Sequence, residues 1–142
     1  MTTLTRAFAH YDATLKNVQW SMSAWMPDHQ YLVVSLWAHH CRKGELPRTL
    51  EFEDSASRWH GPGNVEFRRN LEEAYQDNRP LRLIIAYAED EAKVKSGASA
   101  NKTKKTYEVR EDLYGQILKY DADTGDYVIR FGTRDMTPAL NA

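Results

Sequence analysis

The stretch from Leu81 to Ala88 constrains the fold more than any other part of the sequence, because it is apolar almost throughout. Arg82 interrupts it near its start. A short, near-continuous apolar run of this kind is typical of a central strand that is buried on both faces. We therefore expect a sheet with this strand in its interior.

Two alternating segments precede this run. From 17 to 24, apolar and polar residues alternate as expected for a half-buried strand. From 31 to 39, a second alternation gives one apolar face and one face of mixed aromatic and polar side chains. The turn signal Pro27-Asp28-His29 lies between them, so the two segments are predicted to form an antiparallel hairpin.

The remaining periodicity predicts two helices and several further strands. Apolar residues at i, i+4 and i+7 predict a short opening helix from about residue 4 that ends near 12–14, and a longer stripe predicts a helix over 64–77 with Asn64 as its N-cap. Further strands are predicted at 49–55, 107–110, 116–120 and 127–131. The element order predicts a single α+β domain over 1–142, with a strongly curved, barrel-like, mainly antiparallel sheet and two helices. Within it, 89–106 is predicted to be a flexible basic loop and 133–142 a frayed tail.

Composition narrows the classes of protein and ligand. The chain of 142 residues has a net charge of −1, so binding to nucleic acid would depend on a local basic patch rather than a global field. A single cysteine, Cys41, fits a reducing compartment. The sequence has no long apolar span and no signal-peptide pattern at its start, so we expect a cytoplasmic protein that does not bind membranes.

The aromatic residues around the predicted hairpin form the first candidate site. Trp37 on the mixed face could stack on a nucleobase while nearby hydroxyl and imidazole groups bond to the base edge. The alternative, that Trp37 packs beneath a helix, has similar weight, and Trp20 on the apolar face is predicted to lie in the core. The predicted ligand-binding residues are Trp37, Ser21, Ser23, Ser35, His39, Trp25 and Trp59.

Basic residues supply the second part of this hypothesis. They cluster in the predicted helix and in the lysine-rich loop, and could contact phosphates if the fold gathers them on one side. Acidic residues lie between these basic residues in the sequence, so the phosphate contacts depend on the fold bringing the basic residues together. The predicted phosphate-binding residues are Arg68, Arg69, Lys102, Lys104 and Lys105.

Other chemistries have weaker signals. His39-His40-Cys41 together with His60 contains zinc-ligand types, but neighbouring strand residues point to opposite faces and cannot easily share one ion. A nucleophile elbow and a lysine-bearing phosphate loop are both missing from the sequence. No catalytic residue, metal or cofactor is predicted, although an enzyme using His39 or His60 as acid/base remains an alternative.

Four short motifs resemble a group of small prokaryotic domains. They are the Trp-Ser-x-Ser-Ala pattern within 17–24, the Leu-Trp pattern within 33–37, Gly61-Pro-Gly-Asn64, and Leu83-Ile-Ile-Ala86. Such domains occur alone or joined to HNH-type nucleases of restriction systems. The resemblance implies a restriction-related reader of DNA, including DNA with a modified base. Any cleavage would need a partner nuclease, because no nuclease motif is present.

The sequence therefore predicts a nucleic-acid-binding domain that reads a modified or extruded base in an aromatic pocket. The alternative is a non-catalytic protein–protein interaction module, such as a defence or anti-defence factor, that docks through its aromatic face.

Overall fold

A computed structural model describes the chain over residues 3–17, 21–46, 48–58, 61–88 and 105–133. These ranges contain two α-helices and seven β-strands, with short 3₁₀ turns at Ala38–His40 and Ala56–Arg58. The helices are α1 (Leu4–His10) and α2 (Pro62–Gln76). The strands are β1 (Ser23–Trp25), β2 (Leu32–Trp37), β3 (Cys41–Lys43), β4 (Thr49–Ser55), β5 (Leu81–Ala88), β6 (Lys105–Tyr120) and β7 (Asp126–Gly132).

The seven described strands form one mixed sheet in the order β1-β2-β5-β6-β7-β4-β3. Neighbouring strands are antiparallel except for β2 and β5, which are parallel. The α+β class, the two helices and the mainly antiparallel sheet are thus confirmed. The sheet ends in the three-residue strands β1 and β3 and is open, so the predicted barrel-like closure is not supported.

Strand β5 lies inside the sheet between β2 and β6, as its apolar sequence predicted. The two strands predicted at 107–110 and 116–120 are instead parts of the single sixteen-residue strand β6. Register shifts in its pairing with β5 and with β7 explain this length, because bulges let one strand bend from one partner to the next. Lys105 and Thr106, predicted as loop, belong to this strand, while 89–104 and the tail 134–142 lie outside the described residues.

The first predicted strand is shorter than its alternation suggested. Residue Ser21 accepts a hydrogen bond from the Asn17 N–H through its Oγ, at 3.0 Å, and its own N–H donates to the Asn17 carbonyl at 2.9 Å. A serine that bonds to nearby backbone offers the chain an alternative to the sheet ladder. The strand therefore begins only at Ser23, and its predicted hairpin with β2 is confirmed from there.

Helix α2 begins two residues before the predicted N-cap. The N-cap is Gly61, whose φ of 113° is one that L side chains rarely adopt, and Pro62 follows at the first helical position. Asn64 lies inside the helix, where its side-chain amide donates to the Ala56 carbonyl and ties the helix to the end of β4. Within the described residues, neither α-helix is long and apolar enough to cross a membrane.

The two helices lie on opposite sides of the sheet and cover it unequally. Helix α2 lies over an apolar cluster that runs from β2 across β5, β6 and β7 to β4, with Phe67 and Leu71 at its centre. Helix α1 packs Phe8 and Tyr11 against the other side, over β1, β2, β5 and β6 only. We call these the α2 side and the α1 side.

Arg82, the exception in the apolar run of β5, is held in an aromatic cage on the α1 side. Its guanidinium carbon lies 4.1 Å from the ring centre of Tyr114, 4.8 Å from that of Tyr11 and 5.9 Å from that of Tyr31. The Tyr11 hydroxyl donates to the Leu83 carbonyl at 3.0 Å, and burial raises the pKa of Tyr11 to about 12. A cation is tolerated here because ring faces attract it.

Beyond the reach of α1, the same side of β3, β4 and β7 is occupied by an ion-pair cluster. Glu51 accepts from Arg130 at 2.9 Å and from Arg42 at 3.1 Å, and one of its oxygens also accepts from the Glu45 N–H. The side chains of Glu51 and Arg130 are only 4% and 12% exposed. Glu51 thus lies on the side of the sheet opposite the α2 cluster but is buried by its partners.

Candidate functional site

The carboxyl ends of the parallel strands β2 and β5 meet at one edge of the sheet. Strand β6 starts at this edge, since Lys105 pairs with Ala88. Helix α2 ends just before β5 begins, so its amino end points towards the same edge. In sheets with parallel strands, ligands bind outside the carboxyl ends, where helix amino ends also lie. We call this region the β2–β5 end.

Trp37 is the last residue of β2 and lies on the α1 side of the β2–β5 end. Its neighbours across the sheet are Ala86 on β5 and then Tyr107 on β6. The indole is partly exposed and lies face to face with the His39 ring, with ring centres 5.8 Å apart and planes 22° apart. The His39 ring in turn meets the edge of His40 at 4.3 Å. The strand end thus carries a short array of rings.

His40 links this array to β4. Its Nδ1 lies 3.2 Å from Oδ2 of Asp54, a contact that fixes the orientation of the imidazole. Next to it in sequence, burial raises the pKa of the Cys41 thiol. A thiol that holds its proton is a poor nucleophile, so the sequence neighbourhood of Cys41 and His40 does not form an activated cysteine.

A second polar cluster lies on the α2 side, between β1 and α2. The Asn70 amide donates to the Ser23 Oγ at 2.8 Å. Farther along β1, the Trp25 indole stacks on His29, with ring centres 3.8 Å apart, and His29 lies 2.9 Å from a Glu73 oxygen. These contacts align β1 with one face of α2.

That alignment defines what we call the β1–α2 seam. Asn70 on α2 bonds to Ser23 on β1, and Glu66 lies one helical turn before Asn70 on the same face of α2. Ser21 lies two residues before Ser23, in the segment that leads into β1. The seam consists of Ser21, Ser23 and Trp25, in β1 and the segment that leads into it, and of Glu66, Asn70 and Glu73 on α2. All except Trp25 and Glu73 are buried.

Two buried polar atoms of the seam have no hydrogen-bond partner: Oε1 of Glu66 and Nε1 of Trp25. Sequence reasoning did not predict Glu66 or Asn70 as site residues. A signal did exist, since 66, 70 and 73 recur at helical spacing directly beside the apolar stripe 67, 71 and 74.

The predicted aromatic pocket is divided by the sheet. Trp37, Ser35 and His39 belong to the α1 side, whereas Ser23 and Trp25 belong to the α2 side and Ser21 lies in the turn before β1. Successive strand residues point to opposite faces, so these two sets do not line one pocket. Trp59 and Trp20 lie outside the described residues.

The predicted phosphate contacts are also dispersed. Arg68 hydrogen-bonds Tyr120 at the far end of β6, while Lys105 begins that strand at the β2–β5 end. Arg69 is exposed on α2, and Lys102 and Lys104 lie outside the described residues. Burial lowers the pKa of Lys105, which forms no ion pair with any described carboxylate.

Comparison with known proteins adds no assignment: no family model, no curated protein and no solved structure matches the chain. The resemblance drawn from the sequence motifs therefore stays a prediction. Among the described residues, no group of three or more His, Cys, Asp and Glu side chains could hold a metal ion. The proposed function therefore rests on the positions and contacts of the described residues.

Proposed function

We propose that this chain is a nucleic-acid-binding domain and that it binds with the β2–β5 end. The observation that carries the proposal is the partly exposed Trp37 ring, stacked against His39 where β2 ends. An aromatic face at a strand end can accept a nucleobase, because every base has a π-face to stack on it.

The position of the lysine-rich segment supports this choice of edge. Residues 89–104 connect β5 to β6. The segment therefore leaves β5 and rejoins β6 two residues along each strand from the residues that lie level with Trp37 across the sheet. It carries Lys93, Lys95, Lys102 and Lys104, and Lys105 follows as the first residue of β6. A partly buried lysine that pairs with no described carboxylate gains from a nearby phosphate, which restores the interactions its charge lost on burial. Stacking and phosphate neutralisation are thus available at one edge.

This geometry reassigns part of the predicted site. Phosphate contact is proposed for Lys105 at the β2–β5 end and for the lysines that precede it in the sequence, whereas Arg68 lies beside Tyr120 at the opposite end of β6. The sequence resemblance adds three finer proposals. The ligand is DNA, the chain reads a modified base, and a partner nuclease carries out any cleavage.

The test is fluorescence anisotropy with labelled single- and double-stranded DNA of equal length, with and without modified bases, over a series of salt concentrations. Trp37→Ala is expected to weaken binding by roughly 5- to 150-fold, which corresponds to one stacked base at about 1–3 kcal/mol. Tyr75→Ala is the matched control, since Tyr75 is 42% exposed on α2, away from this edge. Its affinity should equal that of the unmodified chain.

Salt dependence provides the second criterion. Affinity should fall steeply as salt rises, because phosphate contacts release counterions. Replacing Lys105 by Gln should make this dependence shallower without changing the loss caused by Trp37→Ala. The proposal fails if no nucleic acid binds at low salt, or if Trp37→Ala and Tyr75→Ala bind equally well. A protein complex that survives nuclease digestion, in the absence of such binding, would favour the interaction module instead.

A further inference from the structure

Glu66 has an environment that the fold alone does not explain. It is 6% exposed, and its Oε1 is buried without a hydrogen-bond partner. Leaving a buried acceptor unsatisfied is costly, and a charged one costs more, so such groups in native proteins have a specific reason. Its helix neighbours Phe67, Asn70 and Leu71 are all accounted for by packing or hydrogen bonds.

Glu66 has no described cationic partner. No described arginine, lysine or histidine pairs with it, which distinguishes it from Glu51 and Glu73. Asn70, one helical turn farther along the same face, already donates to Ser23. The site therefore offers one unpartnered acceptor, a pattern suited to a neutral ligand that donates a hydrogen bond.

The location ties this acceptor to the proposed binding edge. Ser21 precedes β1, which runs antiparallel to β2, so Ser21 lies level with the carboxyl end of β2. Glu66 lies near the amino end of α2, which points to the same edge. Trp25, the other residue with an unpaired atom, is at the opposite end of the seam beside His29. Glu66 therefore lies at the end of the seam that is next to the β2–β5 end, whereas Trp25 lies at the other end.

We infer that Glu66 accepts a hydrogen bond from the exocyclic amino group of a nucleobase, making the Glu66 end of the β1–α2 seam a base-reading site that prefers cytosine or adenine over thymine. A carboxylate is the usual side-chain acceptor for the cytosine amino group. Reading a base edge in this way requires a base that has left its stack, as base-extruding proteins achieve. This inference rests on the proposed function and names the base chemistry that it recognises.

The experiment compares oligo(dC), oligo(dA) and oligo(dT) of equal length in the same anisotropy assay. Equal length gives equal phosphate charge, so differences report the bases. Oligo(dC) and oligo(dA) are expected to bind at least about tenfold more tightly than oligo(dT), the discrimination that one good base contact supplies. Glu66→Met removes the acceptor and should bring the three affinities together. Glu66→Gln keeps the shape and a weaker, neutral acceptor, so it should retain part of the preference.

Glu73→Gln is the matched control, because Glu73 lies on the same helix face but is partly exposed and bonded to His29. It should leave the preference unchanged. Thermal melts establish that each variant folds, and if Glu66→Met does not fold, the isosteric Glu66→Gln carries the test through its reduced preference.

The outcomes separate this inference from the proposed function. Equal binding of the three oligonucleotides by the unmodified chain, or a preference unchanged in both Glu66 variants, overturns the inference. If salt-dependent binding and its loss in Trp37→Ala persist in that case, the proposed function stands. If no oligonucleotide binds, both fail.

Discussion

The two sides of the sheet differ in how they are stabilised. On the α2 side, a fifteen-residue helix covers an apolar cluster that is continuous from β2 to β4. On the α1 side, a seven-residue helix covers the first strands, and the ion-pair cluster around Glu51 takes over on β4 and β7. The α2 side therefore unites the fold, whereas the α1 side consists of local units that can open separately.

The largest effect should come from the α2 side. Phe67→Ala removes a fully buried ring that meets Tyr127 edge to face, and we expect it to lower the free energy of unfolding by about 3–5 kcal/mol. Phe8→Ala removes an equally buried ring from the α1 side. Because an isolated helix of seven residues is unstable, this change should instead release α1 locally.

Hydrogen exchange measures the difference. Phe67→Ala should lower the protection of amides throughout the sheet, including β7. Phe8→Ala should lower it mainly in α1, leaving β4 and β7 protected. Equal loss across the sheet in both variants would show that the two sides are not energetically distinct.

The ion-pair cluster gives the next largest effect. Glu51→Ala leaves the mostly buried Arg130 without its main partner, so we expect a loss of about 3 kcal/mol in urea unfolding. Glu51→Ala combined with Arg130→Met should recover part of this loss, because the pair is then removed together. A double variant no more stable than the single one would argue against a coupled pair.

The same carboxylate predicts an acid dependence. Burial alone would raise the pKa of Glu51, but the Glu45 N–H and the guanidinium groups of Arg130 and Arg42 outweigh it and hold the pKa below its ordinary value of 4.5. Because the folded pKa is depressed, this stabilisation is complete above the unfolded pKa and is lost as the pH falls through the folded pKa. Stability measured below pH 4.5 should therefore fall less steeply in Glu51→Gln than in the unmodified chain.

A smaller effect is expected within the aromatic cage on the α1 side. Arg82→Met keeps the aliphatic stem but removes the cation above Tyr114 and Tyr11, together with its hydrogen bond to the Glu111 carbonyl. We expect a loss of roughly 1–2 kcal/mol in chemical unfolding. Arg82→Lys should recover little of this, because an ammonium cannot reproduce the planar stacking. Full recovery by lysine would mean that charge alone matters.

The smallest effect should come from the exposed pair of His29 and Glu73. Both side chains are at least two-fifths exposed, so Glu73→Gln should change the unfolding free energy by no more than about 0.5 kcal/mol. A differential melt against the unmodified chain measures this. A larger loss would show that the stack of Trp25 on His29 depends on the carboxylate.

Local periodicity predicted most of the elements. Strand β4 matches its predicted bounds, and the hairpin of β6 and β7 forms around 121–126 as expected. These signals are local, since side-chain alternation and turn residues act within a few positions. The parallel pairing of β2 with β5 had no such signal, because it depends on α2 returning the chain across the sheet.

The candidate site was predicted only in part. Trp37 and His39 do stand together at a strand end. Ser21 and Ser23 were predicted to lie beside them. The register of the hairpin instead pairs Ser23 with Val34, on the side opposite Ser35 and Trp37, and Ser21 lies in the turn before β1. Glu66 was missed because its burial comes from β1, far away in sequence, and no helical pattern reports the partner that covers it.

The parallel pair β2–β5 also bears on how the chain reaches this structure. Leu32 aligns with Leu81, so β2 acquires its inner neighbour only after β3, β4 and α2 have been laid down. Such a nonlocal closure costs loop entropy before its contacts repay it, and it slows folding relative to hairpins of similar size. The β6–β7 hairpin can form early from neighbouring residues. The β2–β5 end depends on this nonlocal pairing, so we expect it to be completed only after the β6–β7 hairpin has formed.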